Sequence, residues 1–207
     1  VGDYSSAPTG APSLSVSAIL ATNNTITAAT DFVVGDNGGS APGVIGPVTL
    51  QFGSGTNTVT TPSMTIGGRK GTSSGVGSQV SVAAGGTLTI DNGAGSTNLF
   101  IGNNIINTGV ASISTLDTTG AILVADLDQL IIGQKTGGGV GSSTATLTTG
   151  TSSSNAVTAN TVTIGTVNAG GAATGTLNWL GGNFTAANDV ALAFGLTVLT
   201  MAYAVGH

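Results

Sequence analysis

Of the 207 residues only 5% are charged: eight Asp, no Glu, three Lys or Arg and one His, for a formal net charge of −5. That balance gives no basic footprint for nucleic acid, and aromatics at 4% leave too little bulk for a conventional globular core. With no Cys, disulfide staples and thiolate metal sites are excluded and the redox compartment stays open. Gly and Pro together are 40 of the 207 residues, below the roughly 25–30% typical of low-complexity chains. Regularly spaced Val, Ile and Leu argue further for an ordered chain.

The chain opens on Val1 rather than Met. Either a signal peptide has been removed or the start lies outside this stretch. The uncharged Thr, Asn, Ser and Gly surface fits an exported bacterial fibre or passenger, so an extracellular or cell-surface location is expected. Residues 1–13 read as a flexible lead-in with Gly, Ser and Pro and no periodicity. From there Leu14, Val16, Ala18 and Leu20 alternate with Ser13, Ser15 and Ser17, a period-two strand pattern.

Five apolar runs then each close on a glycine: Phe32-Val33-Val34-Gly35, Met64-Thr65-Ile66-Gly67, Phe100-Ile101-Gly102, Ile131-Ile132-Gly133 and Val162-Thr163-Ile164-Gly165. The glycines are 32, 35, 31 and 32 residues apart, and a sixth candidate, Leu192-Ala193-Phe194-Gly195, follows after 30. A fixed period in this range signals a repeat architecture. Each run leads into a Gly- and Asn-rich stretch, as at Asp36-Asn37-Gly38-Gly39. A second strand with a Thr-Leu pair comes next: Thr49-Leu50, Thr87-Leu88, Thr115-Leu116, Thr146-Leu147 and Thr176-Leu177. The third strand has an apolar core with Thr or Ala: Ile26-Thr27-Ala28, Val59-Thr60-Thr61, Val124-Ala125, Val157-Thr158-Ala159 and Phe184-Thr185-Ala186. The repeat ending at Gly102 departs most, with its third strand expected near Ser96-Thr97.

Three strands and one long loop in 31–35 residues predict one coil of a parallel β-helix, an all-β solenoid spanning 14–189. Thr, Val and Ile suit half-buried pleated positions, and Gly at corners supplies positive φ. Coils stacked about 4.8 Å apart would place like above like. Ile66, Ile101, Ile132 and Ile164 are expected to form one buried column, and Leu50, Leu116, Leu147 and Leu177 another. Thr146 and its equivalents would point outward as hydroxyl ladders.

The stretches Gly175-Thr176-Leu177-Asn178-Trp179-Leu180-Gly181-Gly182-Asn183-Phe184-Thr185-Ala186 and 144–165 resemble the autotransporter-associated β-strand repeat proteins of bacterial surfaces. The resemblance covers about residues 20–190. It implies a passenger-like or structural solenoid outside the cell, with no shared catalytic residues to carry over. The apolar stretch 190–207, Val190-Ala191-Leu192-Ala193-Phe194-Gly195-Leu196-Thr197-Val198-Leu199-Thr200-Met201-Ala202-Tyr203-Ala204-Val205-Gly206-His207, is similar to the second transmembrane helix of the bacterial aquaporin Z family. The family's pore loop after the His is absent here, so the resemblance does not imply a water channel. At 18 residues the run is short for a span, which takes about 20. Two readings of it stay open: a foreign stretch joined near Asp189, or an apolar segment that extends as a strand. Any membrane contact is expected only through this tail.

Candidate chemistry is sparse. His207 is terminal and cannot anchor a catalytic constellation. Asp126 and Asp128 share a strand face and have the makings of a Ca²⁺ or acid–base pair, but solvated outer-face Asp is the favoured reading. Asp36-Asn37-Gly38-Gly39 lacks the nine-residue repeat of a calcium-binding solenoid. Arg69, Lys70 and Lys135 are expected in loops, serving solubility and edge protection. Trp179 is read as a packing residue in preference to a sugar platform. Asn23-Asn24-Thr25 and Asn183-Phe184-Thr185 match the glycosylation sequon. No catalytic, cofactor-binding or metal residues are assigned, and no enzyme activity is expected. The leading expectation is a non-catalytic structural solenoid, a surface passenger or a fibre subunit that assembles head-to-tail with copies of itself. The alternative is a glycan-binding adhesin; a polysaccharide-cleaving β-helix is the weaker third.

Overall fold

In the computed structural model the described residues are 15–36, 47–68, 77–93, 95–105, 111–168, 170–192 and 198–201. They are all strand, turn and bend, with no helix among them. The first coil is β1 (Val16–Ile19), β2 (Asn24–Thr27) and β3 (Asp31–Asp36). The second is β4 (Val48–Phe52), β5 (Thr56–Thr60) and β6 (Ser63–Gly68), and the third is β7 (Ser78–Val82), β8 (Thr87–Ile90) and β9 (Thr97–Asn104). In the following coils two strands fuse into one. These are β10 (Ser112–Thr118) with β11 (Ile122–Lys135), β12 (Ser143–Thr149) with β13 (Ala156–Val167), and β14 (Ala173–Trp179) with β15 (Asn183–Leu192). β16 (Val198–Met201) starts one more turn.

Every pairing is parallel and joins one coil to the next. The first face runs β1-β4-β7-β10-β12-β14-β16. The second and third faces share a sheet, because β11 pairs with β8 through its first half and with β9 through its second. The chain is a three-faced parallel β-solenoid of six coils, with β16 opening another, as the period predicts.

Alternation decides what fills the lumen. Val34, Ile66, Ile101, Ile132 and Ile164 pair in unbroken register, each at most 1% exposed. On the first face Leu50, Val80, Leu116, Leu147 and Leu177 form the second column, also buried. Each such side chain contributes about 1.5–3 kcal/mol by leaving water. Both expected columns are therefore present, with Val80 completing the second. Thr146 points outward and is half-buried. Its column, Ser17, Thr49, Gln79, Thr115, Thr146 and Thr176, is a hydroxyl ladder broken by one glutamine.

Three sequence assignments shift. Thr87-Leu88 lies in β8, on the second face, and β7 with Val80 takes the place expected for it. The two strands carry the same alternation, so pattern alone does not separate them. Thr97 correspondingly starts β9, on the third face, and the place of the strand expected near Ser96-Thr97 is taken by β8. The cause is an enlarged corner: Asp91 Oδ1 accepts the Gly93 N–H at 2.8 Å, and Asn92 bonds Ser96 through both its amide atoms. That turn produces the 35-residue interval. Finally, Ala125 rather than Val124 sits in the lumen column between Ile90 and Val157.

The tail also departs from its expected boundary at 189/190, which falls inside β15. Val190 pairs with Val162 and Leu192 with Ile164, an advance of 28 residues rather than 30. Leu192 therefore continues the isoleucine column and does not start a new run over Val162. The described parts of the stretch, Val190–Leu192 and Val198–Met201, are strand, as the extended-segment reading has it. No helix among the described residues is long and apolar enough to cross a membrane. The lead-in 1–13 and Gly195 lie outside the described residues.

The glycines that close the apolar runs share one conformation, φ +72° to +76° at Gly35, Gly67, Gly102, Gly133 and Gly165. They do more than turn the chain. Their column lies against small residues of the first face, Ser78, Ser114, Ala145 and Gly175. A Cβ on Gly102 would stand 2.9 Å from Ala145 Cβ, and one on Gly133 2.6 Å from the Thr174 carbonyl oxygen. The lumen is thus narrow along one corner and wide where the Ile and Leu columns meet.

Candidate functional site

A concavity lies on the outside of the first face. A shallow groove of about 430 Å³ is lined by Ser17, Thr49, Gln79, Thr115, Thr146 and Thr148, among others. Hydroxyls and amides line it together with the exposed Ile19, and Asp117 is the one charged group among its lining residues. Thr49 Oγ1 donates to Ser17 Oγ at 2.9 Å, so neighbouring coils link side chain to side chain. Such a surface offers donors and acceptors in rows about 4.8 Å apart. It brings together no nucleophile and base.

The predicted acidic pair does share the outer face: Asp126 is exposed and Asp128 half-buried. Asp128 occupies the bulge where β11 turns from the second face to the third. Its Oδ1 accepts from Asn160 Nδ2 at 3.2 Å, and Asn160 is the matching bulge residue of β13. Asp128 thus braces a corner. Among the described residues there is no group of three His, Cys, Asp or Glu that would hold a metal ion.

Lys135 is not in a loop. It ends β11 and is fully buried, and its Nζ donates to Asn104 Oδ1 at 3.3 Å across the coil interface. Loss of water around the ammonium lowers its pKa from the usual 10.5. The folded chain then holds this proton less tightly than the unfolded chain. Its stability accordingly rises as pH climbs from the folded pKa towards 10.5. Lys135→Met is expected to flatten that rise and to leave stability at pH 7 equal or higher. Urea unfolding at pH 7 and pH 9.5 checks it; a variant clearly weaker at pH 7 would show that the Asn104 bond outweighs the desolvation.

Trp179 faces the lumen, 5% exposed, tilted against Phe184 with ring centroids 5.2 Å apart. Its Nε1 donates to the Gly182 carbonyl at 3.3 Å. It is a packing residue and offers no platform to a sugar. Asn23 and Asn183, the sequon asparagines, are exposed. Asn23 Oδ1 accepts the Thr56 N–H at 2.8 Å. Arg69, Lys70, His207 and Asn37-Gly38-Gly39 lie outside the described residues, and only the backbone of Asp36 is described.

Sequence reading missed two buried asparagines that hold the corner between the first and second faces. Asn57 Nδ2 donates to the carbonyls of Gly53, Gly55 and Thr87. Asn155 Nδ2 donates likewise to Gly150, Ser152 and Gly181, and its Oδ1 accepts the Leu123 N–H at 2.9 Å. A buried polar group must be satisfied, and here the amide closes its own turn while tying it to the next coil. The available signal was an Asn shortly after a Gly at this corner. No family model, curated protein or solved structure matches the chain.

Proposed function

We propose that this chain is a non-catalytic structural β-solenoid of the cell exterior, a surface passenger or fibre subunit that extends by stacking copies end to end. One observation carries the reading: among the described residues, apolar side chains of the first and last coils stay partly exposed at the edges of the stack. In the last coil Val190 and Leu192 are 49% and 50% exposed. In the first, Val16, Ala18, Ile26 and Phe32 are only partly buried against the core. Among the described residues the end strands β1, β2, β3, β15 and β16 each pair on one side only. Open strand edges are templates for further strands, and solenoids that stay single carry polar capping repeats. A head-to-tail contact need not close, so it propagates. The uncharged Thr, Asn and Ser outer surface and the resemblance to bacterial surface repeats support the extracellular setting.

Electron microscopy and sedimentation of the purified chain test this. Elongated particles one coil wide, lengthening with concentration, are expected. Val190→Lys, which puts a charge on the open edge, is expected to shorten them. A monodisperse monomer at micromolar concentration throughout pH 4–8 would overturn the fibre reading.

The groove on the first face favours a second reading, a glycan-binding adhesin. Rows of hydroxyls and amides suit sugar hydroxyls, although Trp179 supplies no stacking. A glycan array decides it. Reproducible binding that is lost when Thr115 and Thr146 are both replaced by Val is the outcome that would favour it.

A further inference from the structure

We infer that Lys135 and Asn104 are the two halves of an amide crosslink, Lys135 Nζ to Asn104 Cγ, which ties the third coil covalently to the fourth. The crosslink lies within one chain and is independent of end-to-end stacking.

The fold brings together two residues 31 apart in the chain. Asn104 ends β9 and Lys135 ends β11, directly opposite one another in the parallel register. A positive-φ glycine stands two residues before each, Gly102 and Gly133. It bends the strand so that Ile101 and Asn104, three residues apart, are both buried, as are Ile132 and Lys135. Lys135 and Asn104 are each 0% exposed. Nζ stands 3.3 Å from Asn104 Oδ1, and the amide carbon is one bond beyond that oxygen. Asn104 Nδ2 donates to the Ser142 carbonyl at 3.3 Å, which holds the amide in place.

The reaction is an aminolysis. Burial lowers the Lys135 pKa from 10.5, so at a given pH more of it is the neutral amine than in a solvated lysine. The Nζ lone pair attacks Asn104 Cγ and forms the new C–N bond. The C–Nδ2 bond breaks, and Nδ2 leaves as ammonia, carrying one proton from Nζ. A secondary amide replaces a primary one, with no change of oxidation state and no co-reactant. Ammonia is protonated once it reaches water, so the step does not run back.

Asparagine side chains already react without a catalyst when a backbone nitrogen is held against the same carbon, and an amine is the stronger nucleophile. Well-oriented groups in contact reach effective concentrations of about 10⁵–10⁸ M, and burial keeps competing water away from the amide. The elements around the pair, β9, β12, β13 and β14, carry no Asp or Glu. Asp126 and Asp128 lie in the first half of β11, and Asp117 is exposed on β10. With no general acid among these side chains, the bond is expected to form as a slow maturation after folding.

The product closes a covalent loop across two coils, which restricts the unfolded chain as a disulfide does. Unlike a disulfide it is indifferent to redox conditions, in a chain that has no Cys. It also leaves no titrating amine, so the pH dependence given above for Lys135 belongs to the freshly folded, unlinked chain.

Mass spectrometry of the folded wild type after incubation for days tests this, with the urea-unfolded chain and Lys135→Arg as controls. The incubated chain is expected to be lighter than its sequence by one ammonia. Digestion should yield a branched peptide joining Asn104 to Lys135, and trypsin should no longer cut after Lys135 in the unfolded, linked chain. Neither control should yield the branched peptide. A folded wild type that keeps its full mass and is cut after Lys135 would overturn the crosslink. Ammonia loss that maps to any asparagine other than Asn104 would overturn it equally, and both results leave the solenoid and the fibre reading untouched.

Discussion

Ile132→Asp is expected to leave no folded solenoid: far-UV circular dichroism should lose its β minimum at temperatures where the wild type keeps it. Ile132 is 0% exposed, between Ile101 and Ile164 in the stacked column. Its replacement removes an aliphatic side chain worth about 2–3 kcal/mol of burial. It also places a carboxylate where no described cation reaches, since Lys135 is engaged with Asn104 one strand pleat further on. An unpaired buried charge costs several kcal/mol more or forces protonation. The sum rivals the whole stability of an ordinary domain, about 5–15 kcal/mol. Two companions calibrate the result. Ile132→Val should cost only about 0.5–1.5 kcal/mol. Thr146→Ser, on the outward ladder, should be within about 0.5 kcal/mol of wild type. An Ile132→Asp chain that melts like wild type would mean that this column does not line the lumen.

Gly133→Ala should cost of order 3 kcal/mol or more, against roughly 1–2 kcal/mol for Gly85→Ala. Both glycines have positive φ, +76° and +82°, so both variants bear the strain of a left-handed L-residue. They differ in what the new Cβ meets. At Gly85 nothing lies within 4 Å, whereas at Gly133 the Cβ would stand 2.6 Å from the Thr174 carbonyl oxygen and 3.1 Å from the Gly175 nitrogen. Those atoms are backbone of β14 on the opposite face and cannot swing aside as a side chain would. Relief requires the third and first faces to part along the narrow corner, which loosens the neighbouring coils too. Thermal unfolding of the pair separates the two effects. Equal losses at Gly133 and Gly85 would show that φ alone makes the glycine column necessary.

The corner asparagines and the glycine column explain how such a small lumen holds. Bulky residues fill the wide part, and along the narrow part Gly102 meets small side chains while Gly133 and Gly175 meet backbone. Aromatic bulk is therefore not needed, and a chain with aromatics at 4% still closes a core. Trp179 and Phe184 are the exception. They meet within the coil made by β14 and β15, of which β15 pairs on one side only.

The sequence by itself determined the class of fold and the two main columns. Alternation fixes which side chains point inward, and a glycine at the end of each apolar run marks one corner of every coil. Ile66, Ile101, Ile132 and Ile164, and Leu50, Leu116, Leu147 and Leu177, were legible because their spacing is the coil length. What only the tertiary structure decided is everything that depends on which coil lies above which residue. All three faces show the same period-two pattern, so Thr87-Leu88 fitted either of two strands until the turn at Asp91–Ser96 was seen to lengthen its corner. Lys135 reads as a loop residue because a charge after Gly-Gln looks like a strand end; pairing with Asn104 and Val167 carries it inside. The coincidence of Asp31 and Asp189 in one column is likewise invisible in a chain where they stand 158 residues apart. Five coil lengths, between 28 and 35 residues, must be crossed in register before the two ends can be compared, and hydrogen bonding between coils sets that register.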